Sequence, residues 1–435
     1  MTKQHSHDLK QKNRQTPVQA RHGGVGGYKK HHATGIKRPS SSESLCEIAS
    51  SCRSCLYINT VYHEQLVRKK KHFQEMLLRS YSLLKDVPID ELYASPSISN
   101  YRHHAKLVMR VFEQSRSSFH VQIGLYQPQS HYVVDIGVCA VQNHLMNQVV
   151  SFLRQDLVRI ASVYSLTHVL RLLRYVTIKI ARDTQQILVT FVQSSEDTAL
   201  TSIIARHLQK RFPKLMGVVH HVNKSKGNEI ITHDAALGQD IVVLGESFIL
   251  ESYNALKFRI GHASFMQVNP FIAATIYKTL SELIPFNQCH VLDLYCGIGT
   301  ISLHLAKLGA TIYGIDENPQ AIEDAKYNAV LNQLAHLCEF KSGRVEDLLN
   351  VGHELPKIDI AVLNPSRRGC QRTVLEYLVQ AKIKHIIYLS CYPQTLLRDV
   401  ATLKELSDCQ VKFFKIFDMF PHTPHYETLT LITLL

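Results

Sequence analysis

Between residues 94 and 250, apolar and polar side chains alternate in short runs: KLVMRVFEQ, SFHVQIGLY, YVTIKIAR, QQILVTFVQ, GVVHHVN and QDIVVLGESFIL. Successive side chains of a strand point to opposite faces, so a period of two predicts β-strands with one face buried. Two segments of the same region, 146–162 and 200–212, carry the helical period instead. The block therefore reads as an α+β unit. Another helix is predicted over 61–84, with the run Arg68-Lys69-Lys70-Lys71 on it. After residue 270 the texture changes. A helix over 270–283 leads into HVLDLYCGIGT, and the strands TIYGID, IDIAVLNP and HIIYLSC, apolar nearly throughout, alternate with helical stretches. Strands with so little polar surface must be covered on both sides, which predicts an α/β fold with a parallel-rich sheet between two layers of helices. The final HYETLTLITLL reads as one more strand, closing that sheet.

A chain of 435 residues is long enough for two or three domains. Its 45% hydrophobic and 20% charged residues exclude wholesale disorder and collagen-like chains. No apolar run approaches the ~18 residues of a membrane helix, and the opening MTKQHSHDLKQKNRQ lacks the apolar core of a secretory signal. A cytoplasmic protein with no membrane partner is expected. The 49 Lys and Arg against 36 Asp and Glu leave +13, which points to a polyanionic partner. More than half of that charge lies in residues 1–45, where nine Lys and Arg face only Asp8 and Glu43. With little to bury, this segment is expected to be a disordered basic arm that touches phosphates or simply keeps the chain soluble.

Four motifs carry candidate chemistry. In Val291-Leu-Asp293-Leu-Tyr295-Cys296-Gly297-Ile-Gly299-Thr300, a strand ends at an acid and a Gly-x-Gly turn opens a helix, which lets the backbone approach a ligand closely. Asp316 follows Asp293 by 23 residues at the end of the next strand, where a carboxylate can bond ribose hydroxyls. A third glycine, expected for a dinucleotide pyrophosphate, is missing, so S-adenosylmethionine, which has no phosphate, suits the turn better. The second motif, Asn364-Pro365-Ser366-Arg367-Arg368-Gly369, lies at another strand end; Asn364 offers donor and acceptor, and the Arg pair can grip phosphate. In the third, Cys391 follows a buried strand and precedes Pro393 and a helix, a position where a helix start can lower a thiol pKa. Cys289, Cys296, Cys338, Cys370 and Cys409 read as packing residues. In the fourth, Phe417–Glu427, Glu427 stands just before the last strand and can face Cys391 as a base; His422 and His425 alone are too few for a metal site.

Ten cysteines are too sparse for a disulfide scaffold. Cys46, Cys52 and Cys55 fall within ten residues, and soft thiolates so close together can ligate a metal. From spacing alone zinc leads, because Cys-x2-Cys pairs are common in zinc sites.

Together these motifs resemble the family of RNA uridine-5-methyltransferases that use S-adenosylmethionine and an iron–sulfur cluster, over roughly residues 46–435. The ending FDMFPHTPHYETLTLITLL and the Asn-Pro-x-Arg-Arg-Gly loop are most similar to the branch that acts on uracil 747 of 23S ribosomal RNA. The resemblance implies S-adenosylmethionine contacts from Gln267 (in SFMQVNP), Tyr295, Asp316 and Asn364, with Cys391 as nucleophile and Glu427 as general base. It makes Cys46, Cys52, Cys55 and Cys139 ligands of a 4Fe–4S cluster rather than of zinc. Tyr392 stands where the family usually has Asn, and Ser366 where it has a second Pro.

The organisation expected is a basic arm (1–45), a cluster region with a basic helix (46–93), a central α+β RNA-binding domain (94–250) and a Rossmann-like methyltransferase domain (251–435). The partner expected is a hairpin-loop segment of 23S ribosomal RNA, met by a monomer before the ribosome is fully assembled. Lys69–Lys71, Arg102 and Lys106 are candidates for the phosphate path. The chemistry expected is attack of the Cys391 thiolate on uracil C6, methylation at C5, and removal of the C5 proton by Glu427. Other readings are the same chemistry on transfer RNA or another ribosomal uridine, a cytosine-5-methyltransferase, and an RNA-binding protein without catalysis.

Overall fold

The computed structural model describes residues 45–435 apart from residues 91, 116–117, 226, 228, 235 and 351–354. Residues 1–44, where the basic arm is expected, lie outside the described residues. A single-turn helix α1 (Ala49–Cys52) follows Cys46, and the long helix α2 (Tyr62–Ser80) comes next. The inward stripe of α2 runs Gln65, Lys69, Phe73, Leu77 at four-residue spacing, all four side chains buried.

The first sheet has seven strands: β1 (His104–Ser115), β2 (Ser118–Tyr126), β3 (Val133–Asp135), β4 (Leu173–Ile180), β5 (Ile187–Gln193), β6 (Leu215–Asn223) and β7 (Gly238–Gly245). Their order is β3-β2-β1-β4-β5-β6-β7. Neighbours are antiparallel except β5 and β6, whose parallel pairing needs a crossover. Helices α3 (His144–Val163) and α4 (Ala199–Arg211) cover one face. There Leu153, Leu157 and Ile160 of α3 and Ile204 and Leu208 of α4 share a core with alternate strand residues such as Leu107, Met109, Val176, Ile178 and Phe191. The period of two read from the sequence is the alternation between this face and the other. On the other face Leu188 and Val219 join the core of the second sheet, and the buried Lys179 Nζ donates to the carbonyls of Gly261 and Ser264, each at 2.5 Å.

A hairpin, β8 (Phe248–Tyr253) and β9 (Leu256–Gly261), and helix α5 (Pro270–Ser281) lead into the second sheet. Here strands and helices alternate: β10 (His290–Leu294), α6 (Thr300–Ala306), β11 (Thr311–Asp316), α7 (Pro319–Leu331), β12 (Cys338–Ser342) and α8 (Val345–Asn350). Then come β13 (Ile360–Leu363), α9 (Arg372–Gln380), β14 (His385–Ser390), α10 (Pro393–Leu406), β15 (Cys409–Phe417) and β16 (Glu427–Leu434). The order is β12-β11-β10-β13-β14-β16-β15. The first five are parallel, and the chain turns to opposite sides after β10 and β13, which opens a crevice at their carboxyl ends.

The last strand does not close the sheet as expected. β15 takes the edge, and β16 returns antiparallel into the slot between β14 and β15, where its side chains are buried. That insertion matters for the site, because it brings the first residue of β16 beside the last residue of β14. Ser44–Leu435 forms one compact unit. Among the described residues no helix is long and apolar enough to cross a membrane.

Candidate active site

The carboxyl ends of β10, β11, β13 and β14 surround a cavity of about 1190 Å3, and Gln267, Tyr295, Asp316, Asn364, Cys391 and Glu427 all line it. At the end of β10 the backbone turns sharply, with φ of +64° at Tyr295, +56° at Gly297 and +77° at Gly299. A bulky residue such as Tyr295 rarely adopts this conformation, and such strain gathers at ligand sites. A Cβ on Gly297 would meet only empty space, so the turn is open towards the cavity. The Gly297 amide donates to Asp316 Oδ2 at 2.8 Å and the Asn318 amide to Oδ1 at 2.9 Å. These two bonds aim the Asp316 carboxylate while leaving its remaining lone pairs for a ligand.

Asp293, the other acid of the motif, is not at the cavity. It is fully buried and accepts from Ser302 Oγ at 2.5 Å, tying β10 to α6. Burial pushes its carboxyl up to about 7.

Ser390 of β14 pairs with Thr428 of β16, so Cys391 and Glu427 leave neighbouring antiparallel strands at the same end. The Glu427 carboxyl is 3% exposed, and burial pushes it up to about 8, opposed by the Arg367 guanidinium. The Cys391 thiol is pushed up to about 11, first by burial and then by Glu427, again opposed by Arg367. This corrects the expectation that a helix start lowers the thiol. Helix α10 opens with Pro393, which has no N–H to present there, and desolvation next to an acid outweighs the helix end.

Two residues at this site escaped the sequence reading. Arg367, expected only to grip phosphate, favours the ionised form of both Cys391 and Glu427. Phe265 lines the cavity and is 64% exposed, an apolar side chain close in sequence to Gln267. Its signal was present in SFMQVNP, where Phe265 and Gln267 stand two residues apart.

The chain matches the model of the "tRNA (Uracil-5-)-methyltransferase" family over residues 61–434. It belongs to that family. The chain is 34% identical to an uncharacterized RNA methyltransferase of Geobacter sulfurreducens over 395 residues, 90% of this chain and 77% of that one. It is 31% identical to another from Oceanobacillus iheyensis over 397 residues, 90% of this chain and 83% of that one. The fold is similar to the crystal structure of Pyrococcus abyssi tRNA (uracil-54, C5)-methyltransferase in complex with S-adenosyl-L-homocysteine, with a TM-score of 0.66 and 24% identity. That match covers 86% of this chain and 84% of the other. The fold is thus the mixed α/β fold, with more than one sheet, of S-adenosylmethionine-dependent methyltransferases.

A second cavity of about 210 Å3 lies away from the first and is lined by Cys46, Cys52, Cys55 and Cys139 together with Arg53, Arg102 and Lys106. Burial pushes the Cys55 thiol up to about 12, and Cys139, Cys52 and Cys46 add to the rise. Ionising these thiols therefore calls for positive charge among them. Among the described residues no three His, Cys, Asp or Glu side chains are gathered as a group that could hold a metal ion.

Several residues expected on the phosphate path are employed elsewhere in this methyltransferase. Lys69 is buried in an ion pair with Asp418 and donates to the carbonyl of Phe420 at 3.0 Å. Arg102 lines the cysteine cavity and donates to the carbonyl of His104 at 3.1 Å. Lys106 is exposed but also borders the cysteine cavity. Lys71 stays exposed beside Glu75. Of the five cysteines read as packing residues, Cys296, Cys370 and Cys409 are buried, whereas Cys289 and Cys338 are half-buried. Cys289 lies in the loop just before β10, and Cys338 opens the edge strand β12.

Proposed function

We propose that this chain transfers a methyl group from S-adenosylmethionine to C5 of a uridine in RNA, and that its target is uracil 747 in a hairpin loop of 23S ribosomal RNA. The observation that carries the reaction is the pairing of Cys391 and Glu427 at the same end of β14 and β16, on one cavity with Asp316 and Asn364. What supports the ribosomal target is the resemblance of the last nineteen residues and the Asn364–Gly369 loop. The cavity exceeds the ~300–1,000 Å3 of a drug-sized ligand, so it has room for a nucleoside cofactor and a base together.

S-adenosylmethionine supplies an electrophilic methyl group. Its ribose diol suits the Asp316 carboxylate, and its adenosine lies over the open Gly297 turn in this reading. The Cys391 thiolate adds to uracil C6, which moves the C5=C6 electrons onto C5 and lets that carbon take the methyl. Glu427 then accepts the C5 proton; the C–H electrons restore C5=C6 and expel the thiolate. Arg367 favours both ionised groups. The target base must leave its stack, and Phe265, exposed on the cavity, offers a flat apolar surface for it to stack on.

The four cysteines line one cavity, and in this reading they hold a 4Fe–4S cluster rather than a single zinc, as the family resemblance implies. A lone zinc draws all its thiolates to about 2.3 Å, whereas a cluster binds each thiolate at a separate iron. A bound cluster would supply the positive charge that ionises the thiols and would tie residues 46–55 to Cys139. The protein acts in this reading as a cytoplasmic monomer, with residues 94–250 as the RNA-binding domain. Methylating a 23S ribosomal RNA hairpin transcript and a tRNA transcript side by side, with mapping of the modified uridine, tests the target. Methyl transfer confined to tRNA overturns the ribosomal assignment, and transfer to cytosine overturns the reaction.

A further inference from the structure

Nine residues, 418–426, connect β15 to β16 without regular secondary structure, and Phe417 pairs with Glu427 where the connection closes. Such a segment leaves its own backbone groups unpaired unless something outside it supplies partners. Some partners are Tyr93, Tyr101 and Asn269, which bond Asp418, Pro421 and Met419, but the side chains of α2 and the stretch before it, 349 to 357 residues away for Lys69, Tyr62 and Gln65, take the largest share. Lys69 is ion-paired with Asp418 and donates to the Phe420 carbonyl. Gln65 Oε1 accepts from the His422 amide at 2.8 Å, and Gln65 Nε2 lies 3.1 Å from His422 Nδ1. The Tyr62 hydroxyl bonds Asp418 Oδ2 at 2.7 Å, and the Tyr57 amide donates to the His422 carbonyl at 2.8 Å. At the centre of this grip His422 has φ +66°, a conformation that needs to be held.

Gln65 and Lys69 are both fully buried, and neither lines the active-site cavity. A lysine and a glutamine sealed against one short segment make costly, specific bonds that a pair of leucines would not need. We propose that Gln65 and Lys69 are positioning residues for Glu427: they fix the 418–426 segment and through it the reach of the carboxylate to C5 of the bound base. The same segment borders the cysteine cavity at Thr423, while Tyr57 stands two residues beyond Cys55, so the grip also joins the cysteine-rich stretch to the base. The proposal rests on Glu427 being the group that removes the C5 proton.

Its signature is a step-specific defect. Glu427 acts after methyl transfer, so loosening its support slows release of the methylated RNA and leaves the earlier addition and transfer nearly intact. The test uses the full chain, a 23S ribosomal RNA hairpin transcript that it methylates, and radiolabelled S-adenosylmethionine. Two variants are compared: Gln65→Met, and Lys69→Met combined with Asp418→Asn so that no unpaired charge stays buried. In single turnover the methyl-labelled covalent adduct should form within about twofold of the wild-type rate and decay at least about tenfold more slowly, since a shift of ~1 Å at a catalytic group costs up to 10²-fold. A purely structural role lowers both steps together, in step with the folded fraction seen in thermal melts, and no adduct accumulates. That result overturns the proposal, as does unchanged decay in both variants. Glu427→Gln run alongside separates the two levels: if it forms methylated RNA without trapping an adduct, the assignment of Glu427 itself fails.

Discussion

Cys391 and Glu427 sit one residue beyond and one residue before a paired couple, Ser390 and Thr428, on adjacent antiparallel strands. The pairing register alone brings a thiol and a carboxyl to the same end of the sheet. Both are held largely uncharged by burial, and Arg367 pulls both towards ionisation.

Removing Arg367 should therefore shift the pH profile. With Glu427 raised to about 8 and Cys391 to about 11, adduct release should climb through about pH 8, and adduct formation should still be climbing as pH approaches 11. Arg367→Gln takes away a charge that lowers both groups, so the rising limb should move to higher pH. Single-turnover rates from pH 6 to 10 measure it, and a limb that stays in place would remove Arg367 from this role.

Stability should carry the same mark. Glu427 binds its proton more tightly in the folded chain, at about 8 against 4.5 for an ordinary glutamate, so its contribution is complete below pH 4.5 and lost as pH rises through 8. The slope is at most about 1.4 kcal/mol per pH unit. Glu427→Gln lacks this loss. Its melting temperature should gain on the wild type between pH 5 and 8 and level off above that, whereas Asp293, raised in both proteins, cancels from the difference. A constant gap across that range would mean that Glu427 is ionised throughout.

Asp316→Ala should weaken S-adenosylmethionine binding by ~1.5–3 kcal/mol, the range for a hydrogen bond to a charged group. Because Asp316 also accepts from the Gly297 and Asn318 amides, part of the loss comes from the loosened turn, and Asp316→Asn should recover some of it. Titration calorimetry decides; unchanged affinity takes Asp316 out of the site.

What the sequence made legible follows from which forces are local. The Gly297–Gly299 turn and the 23-residue step from Asp293 to Asp316 are set within one strand–helix–strand unit, so spacing reveals them. The roles of the two acids are less local: Asp293 is sealed under α6 by Ser302, and only Asp316 lines the cavity. Lys69 shows where sequence reading fails. In a run of four basic residues it looks like part of a solvated face, but its partner Asp418 lies 349 residues away. A clue was available, since Phe73 and Leu77 mark an inward stripe that continues at four-residue steps to Lys69 and Gln65. The slot taken by β16 was hidden for a different reason: both possible positions bury the same apolar strand, and only pairing partners distinguish them.

The cysteine cavity yields a prediction independent of catalysis. Protein purified without oxygen should be brown and carry iron and sulfide at about four each per chain, the content of a 4Fe–4S cluster. Cys139→Ser should lower both. Zinc without sulfide would return the site to the simpler reading.

The central claim is that Cys391 acts before methyl transfer and Glu427 after it, and one denaturing gel tests it most directly. With radiolabelled S-adenosylmethionine and the 23S hairpin transcript, Glu427→Gln should show a slow-migrating, methyl-labelled protein–RNA complex. Cys391→Ala should show neither complex nor methylated RNA, because C5 never becomes nucleophilic. A labelled complex of equal strength in Cys391→Ala would contradict the account and make another thiol, with Cys296 beside the cofactor turn first in line, the nucleophile.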